Sequence, residues 1–247
     1  MDIQKTARIF GWLFIATFIT SIGAKALFVT GVGGSFSALR FTPGAFSEST
    51  VFAGLILEFL LIVANIGTAV VLYPIVKRQS EGLALGYVTA RVVESTFILV
   101  GLMSIVSLVS LNSAFAGATG AEAAALAAQG DSLVATYDWA FLFGPGLVVG
   151  FGNGLILGYL MYRSGLLPRR MAMFGLVGGP MLILSFGLIL FGVYENGSGP
   201  AFLLAFPEIV WELSIGIYAA WKGFRPSAIT KTVDLREPAV EPVMAAV

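Results

Sequence analysis

Few residues in this chain could do chemistry, and almost all of them interrupt apolar runs. Glu58, Glu94, Glu208 and Glu212 are four carboxylates in hydrophobic stretches, accompanied by two cations, Lys25 and Arg91, and by the amides Asn65 and Asn153. A charged side chain in such a setting is costly and marks a site by default. With four acids against two bases, two carboxylates lack a fixed partner. A buried carboxylate without a partner takes a proton, takes a cation or meets water. The surplus therefore points to a proton, cation or small-solute site at Glu58, Asn65, Arg91, Glu94, Glu208, Glu212 and Lys25. The chain has no His and no Cys. That removes a histidine base, a cysteine nucleophile and the usual ligands of zinc, haem and iron–sulfur clusters, none of which is expected. The cofactor, if any, is unknown. Ser21 and Lys25 share a helical face at four-residue spacing, a weak serine–lysine pair. Gly31-Val32-Gly33-Gly34 has no helix-opening context for a phosphate.

The elements that position these residues are membrane spans. Hydrophobic residues make up 57% and charged residues 11% of 247 residues, and mean hydropathy is +0.92. That composition is far from the ~25% charge of soluble domains. Six segments reach the ~20 apolar residues that a bilayer core requires: Ala7 to Thr30, Thr50 to Val76, Leu83 to Leu111, Leu133 to Tyr162, Leu167 to Tyr194 and Ala201 to Gly223. Thr42-Pro43-Gly44, Gly165 to Pro168 and Asn196 to Pro200 break the chain between spans. Lys5 and Arg8 before an apolar run, with Ala24-Lys25-Ala26 after it, resemble a signal peptide, but the segment is read as a retained first span. The fold class is an all-α integral membrane protein, a six-transmembrane-helix bundle over 1–225. Residues 226–247 are polar and are expected to form a disordered cytoplasmic tail. Ala114 to Asp131 is expected as an outer loop with one short surface helix around Glu122 to Gln129.

Basic residues set the orientation. Lys5, Arg8, Lys77, Arg78, Arg163, Arg169, Arg170, Lys222, Arg225, Lys231 and Arg236 fall on one side of the six-span arrangement, and Arg40 alone falls in a loop on the other. Positive residues stay inside, so both termini are expected to be cytoplasmic, in a multi-pass protein of the cell inner (cytoplasmic) membrane. Zero net charge offers nothing to nucleic acid.

Depth follows from a rise of ~1.5 Å per residue. Arg91, Glu94, Asn65, Asn153, Glu208 and Glu212 form a middle layer; Lys25 and Glu58 form an outer one, with Asp138 of span four just above it. Arg91 is expected to bridge spans three and six through Glu212, with Glu94 or Glu208 holding an exchangeable proton or cation, and Lys25 is expected to pair with Glu58. Span four carries Gly146, Gly150, Gly154 and Gly158 at four-residue spacing, one smooth stripe for close helix packing. The stripe serves either inside the bundle or as the seam of a homodimer or larger membrane complex. Pro145 should kink or cap span four, and Gly178-Gly179-Pro180 should bend span five.

The stretch Leu72 to Tyr87, followed by Arg91-Val92-Val93-Glu94, resembles the bacterial six-helix membrane family catalogued as domain of unknown function 4386. Leu157 to Ser164 with Leu167-Pro168, Glu58, and Glu212 with the Lys222-Gly223-Phe224 exit fit the same pattern. The resemblance covers roughly residues 5 to 225. It implies that Glu58, Arg91, Glu94 and Glu212 occupy motif positions, and it brings no activity, substrate or cofactor.

Three functional classes follow. The first is a transporter or channel-like protein that binds a proton, a cation or a small solute at the surplus glutamates. The second is a non-catalytic accessory subunit of a membrane complex. The third is an intramembrane enzyme acting on a lipid; catalysis is the less favoured reading. A reporter fused after Gly223 should read as cytoplasmic, and an extracytoplasmic signal would overturn the orientation.

Overall fold

The structure, a computed structural model, describes residues 2–230. Six of its helices are long and apolar enough to cross a membrane: α1 (Ile3–Gly31), α2 (Glu48–Val76), α3 (Glu81–Phe115), α4 (Gly120–Ser164), α5 (Arg169–Leu190) and α6 (Gly199–Lys222). Side-chain caps start several of them. Asp2 accepts from the backbone N–H groups of Gln4 and Lys5, Ser80 accepts from Leu83 N–H and Ser198 accepts from Ala201 N–H, each satisfying donors that a helix start leaves free. Six crossings put both ends of the described chain on one side, here the terminal side. Gln4 ties them together, donating to Phe224 O at 2.8 Å and accepting from Phe224 N–H at 3.1 Å.

α4 departs most from expectation. The outer loop is reduced to residues 116–119, and the expected short helix is the first part of α4 itself. The segment from Ala121 to Ala128 is dominated by alanine, the strongest helix former, and contains no breaker. Gly130 does not end the helix, because the Phe41 ring packs where its β-carbon would be. Beyond Phe141 the ladder changes. Residues Leu142–Val148 and Gly150–Leu157 are π-helical. Pro145 lacks an N–H and its ring crowds the preceding turn, and a π-bulge absorbs that misfit without breaking the helix. α5, in contrast, runs unbroken through Gly178-Gly179-Pro180.

The helices form a closed ring in chain order: each packs on the next, and α6 packs back on α1. The last contact is tight at the terminal side, where a β-carbon on Gly11 would lie 2.6 Å from Gly216 O. Two apolar cores fill the ring. Phe10, Phe14, Leu72, Tyr87, Leu157 and Trp211 belong to the terminal one; Phe28, Val51, Ile105, Leu108, Phe41 and Tyr137 belong to the distal one. A distal hairpin over 32–42 closes with a Gly34–Leu39 bridge and is anchored by buried Leu39 and Phe41. Gly33 and Gly34 turn it with φ of 116° and 92°, a region that β-carbons disfavour.

The end of the bundle and the start of the expected tail are held in place: Arg225 N–H donates to Leu166 O at 2.8 Å and Ser227 Oγ, in the tail, donates to Ser164 O at 2.5 Å. Residues 231–247 lie outside the described residues.

The glycine stripe of α4 faces α5. A β-carbon at Gly150 would sit 2.8 Å from Gly179 O, one at Gly154 would overlap Gly179 Cα, and one at Gly158 would sit 3.2 Å from Leu176 N. Gly146 meets only its own helix. The face that a second copy would have needed is thus covered from within for three of the four positions. Gly150→Leu should lower stability by about 1–3 kcal/mol or more, the cost of overpacking, without changing oligomeric state. Thermal unfolding and light scattering in detergent check this.

Candidate functional site

The polar middle layer lies between the two apolar cores. On α3, Arg91 is only 2% exposed. Its Nη1 lies 2.7 Å from Glu94 Oε2, one turn along the same helix, and its Nε donates to Thr68 Oγ1 of α2 at 3.2 Å. The guanidinium stands over the Phe14 ring of α1, 5.2 Å from its centre, close enough for a cation–π contribution. Asn65 of α2 donates to the other oxygen of Glu94 at 3.0 Å. Thr68 donates to Asn65 O at 2.6 Å and lies 3.3 Å from the Tyr87 hydroxyl. Five side chains on two adjacent helices thereby form one hydrogen-bonded knot.

The expected bridge from Arg91 to Glu212 is not formed; no ion pair joins them among the described residues. The ring order explains it. α3 abuts α2, which offers Asn65 and Thr68, and Glu94 needs no second helix to reach Arg91. Glu212 instead accepts a hydrogen bond from the Asn153 side-chain amide of α4. The π-helical turn that carries Asn153 also presents its carbonyl, which accepts from Trp211 Nε1 at 3.0 Å.

Glu208, one turn before Glu212, is 2% exposed, and neither carboxyl oxygen has a hydrogen-bond partner among the described residues. It sits in the α4–α5–α6 crossing, where a β-carbon on Gly178 would come within 2.7 Å of its Oε2 and one on Gly154 within 3.0 Å. The glycines leave space for a carboxyl group but supply no donor. An ionised carboxylate there would be uncompensated.

The outer layer is also paired differently from expectation. Lys25 lies 3.5 Å from Asp138 Oδ1 and over the Tyr137 ring at 5.0 Å. Glu58 accepts from the Tyr137 hydroxyl at 2.6 Å, and its second oxygen has no partner among the described residues. α4 carries both Tyr137 and Asp138, so it splits the anticipated Lys25–Glu58 pair. Sequence reasoning missed Thr68, Tyr87, Tyr137 and Trp211 as partners. Their signal was spacing: Thr68 is three residues from Asn65, Tyr87 four from Arg91, and Trp211 adjoins Glu212.

A cavity of about 500 Å³ reaches this layer. Its polar wall is Thr17, Ser21, Asn65, Arg91, Glu94 and Glu212. Phe18, Phe36 and Phe202 are among its apolar walls, with Phe36 descending from the distal hairpin. The terminal core lies below it. Between α1 and α6 the seam that Gly11 and Gly216 close tightly is open in the distal half: Ile22 and Phe202 line the cavity there and are 56% and 58% exposed. The wall thus carries one cation and two carboxylates. Arg91 and Glu94 neutralise each other, and Glu212 is left with an amide.

Removing one member of a buried pair strands the other charge, at about 3–5 kcal/mol. Arg91→Ala should be destabilised by that order. Adding Glu94→Gln should recover part of the loss, and adding Glu212→Gln should not. Unfolding in mixed micelles through this double-mutant cycle separates the two.

The chain belongs to the family described as Domain of unknown function (DUF4386), whose sequence profile matches residues 9–223. No curated protein and no solved structure matches it.

Proposed function

We propose that this DUF4386 protein is a multi-pass protein of the bacterial inner membrane, with cytoplasmic termini, that binds a small monocation in its mid-membrane cavity, as the binding step of transport. One observation carries the reading: Glu212 faces a cavity of about 500 Å³ with an amide as its protein partner, while Arg91, the cation at similar depth, is paired with Glu94. A carboxylate at this depth is stabilised by a cation or a proton. The aromatic walls suit an ammonium group, because ring faces attract cations.

Two other readings have less support. An accessory subunit assembling through the glycine stripe would need a face that α5 already covers. A serine–lysine enzyme would need Lys25 beside Ser21, but Lys25 is turned to Asp138 and Tyr137.

Tetramethylammonium is a suitable probe. Protein in nanodiscs should bind it saturably, measured by calorimetry against empty nanodiscs, and Glu212→Gln should weaken binding at least about tenfold, the effect expected when a buried charge partner is lost. Ser107→Ala, on the exposed outer face of α3, should bind like the parent. Equal binding by Glu212→Gln, or none by the parent, would overturn the proposal.

A further inference from the structure

A second, larger cavity adjoins the first on the distal side. It measures about 730 Å³ and lies between α4, α5 and α6 beneath the hairpin. Leu142, Leu182, Phe186, Ile189 and Ala205 are among its walls, Ser185 and Asn196 add polar groups, and no charged side chain lines it among the described residues. Phe36, Pro145 and Phe202 line both cavities and form the partition between them. Two of the three are free to turn aside, for Phe36 and Phe202 are each more than half exposed and outside both apolar cores. Gly146 keeps the larger chamber open. Its missing side chain would point into that space, meeting only Leu142 and Phe141 of its own helix at 3.4 Å or more.

We infer that the two chambers form one site for an amphipathic organic cation, whose ammonium head sits at Glu212 and whose apolar body lies in the distal chamber beyond Pro145 and Phe202. This assignment rests on Glu212 being the cation site and adds the class of ligand. The geometry divides as such a molecule does. Charge is confined to one end, and a mainly apolar chamber without a fixed charge occupies the other. Burying hydrocarbon in that chamber adds affinity that a small cation cannot gain. The open distal half of the α1–α6 seam also gives a lipid-dissolved ligand a route in, past Ile22 and Phe202, without crossing the tight terminal contact at Gly11.

The test compares tetramethylammonium with hexyltrimethylammonium, which carries the same head and five more methylenes, on protein in nanodiscs, with empty nanodiscs subtracted. At about fourfold per fully buried methylene, partial burial should make the hexyl compound at least about tenfold tighter. Gly146→Leu and Ala205→Phe, which fill the distal chamber from different helices, should remove that gain and leave tetramethylammonium binding unchanged; retained tetramethylammonium binding also shows that each variant folds. If the small cation binds and the hexyl compound binds no tighter, the chamber is not part of the site and this inference fails while the cation site stands. If neither cation binds, the cation site itself fails. A gain that survives both filling variants places the tail elsewhere and overturns the assignment. A hexyl probe bearing a diazirine at its last carbon gives an independent readout on the parent protein. Labelling within 141–146 or 182–189 supports the site, and labelling confined to other segments overturns it.

Discussion

Arg91 is the constraint around which the bundle is arranged. A guanidinium cannot shed its charge, and at mid-membrane depth it must be neutralised and supplied with acceptors. Glu94 neutralises it from the next turn of α3, and Thr68 accepts from it across the helix boundary. Asn65 donates to the other Glu94 oxygen and the Tyr87 hydroxyl meets the same Thr68 Oγ1, so α2 and α3 are locked in register by polar contacts where lipid-like packing alone would leave them free to slide. Because this knot is complete within two neighbouring helices, nothing in it needs α6. That frees Glu212 to face the cavity with an amide as its partner.

The other side of the ring is organised by small residues. α4 approaches α5 closely enough for Gly150 and Gly154 to meet the backbone of Gly179, and van der Waals contact between backbones supplies what the hydrophobic effect cannot in a bilayer. The same approach creates the crossing that receives Glu208. Its carboxyl group occupies space released by Gly154 and Gly178. Close packing and a buried acid are therefore one feature: larger residues would both separate the helices and fill the room for the carboxyl.

The π-helical stretch of α4 connects the two sides. Pro145 displaces the regular ladder near the distal end, and Asn153 lies in the second π turn, with its amide on Glu212 and its carbonyl on Trp211. Such bulges recur at functional positions because they re-aim a side chain without ending the helix. Here the same helix supplies the partition residue Pro145, the open space at Gly146 and the polar partner of Glu212, so the shape of both chambers is tied to one irregular element.

Composition and breakers determined the six spans, because ~20 apolar residues have no other stable use in a chain so poor in charge. The polar layer was also readable in the sequence: Arg91, Glu94, Asn65, Glu208 and Glu212 stand out by cost alone, and a constant helical rise sets their depth. The glycine stripe was visible as a period of four. What remained open was which neighbour each group would meet. Two groups at similar depth can stand on opposite sides of a ring, so depth could not choose between Glu94 and Glu212 for Arg91, and it matched Lys25 to Glu58 where the fold supplies Asp138. The order of helices around the ring decided both. The chambers were equally out of reach, since a cavity is defined by what several helices fail to fill. The α1–α6 seam, closed at Gly11 and open at Ile22, is set by side-chain sizes on two helices at opposite ends of the chain, and only their assembled packing brings those sizes together.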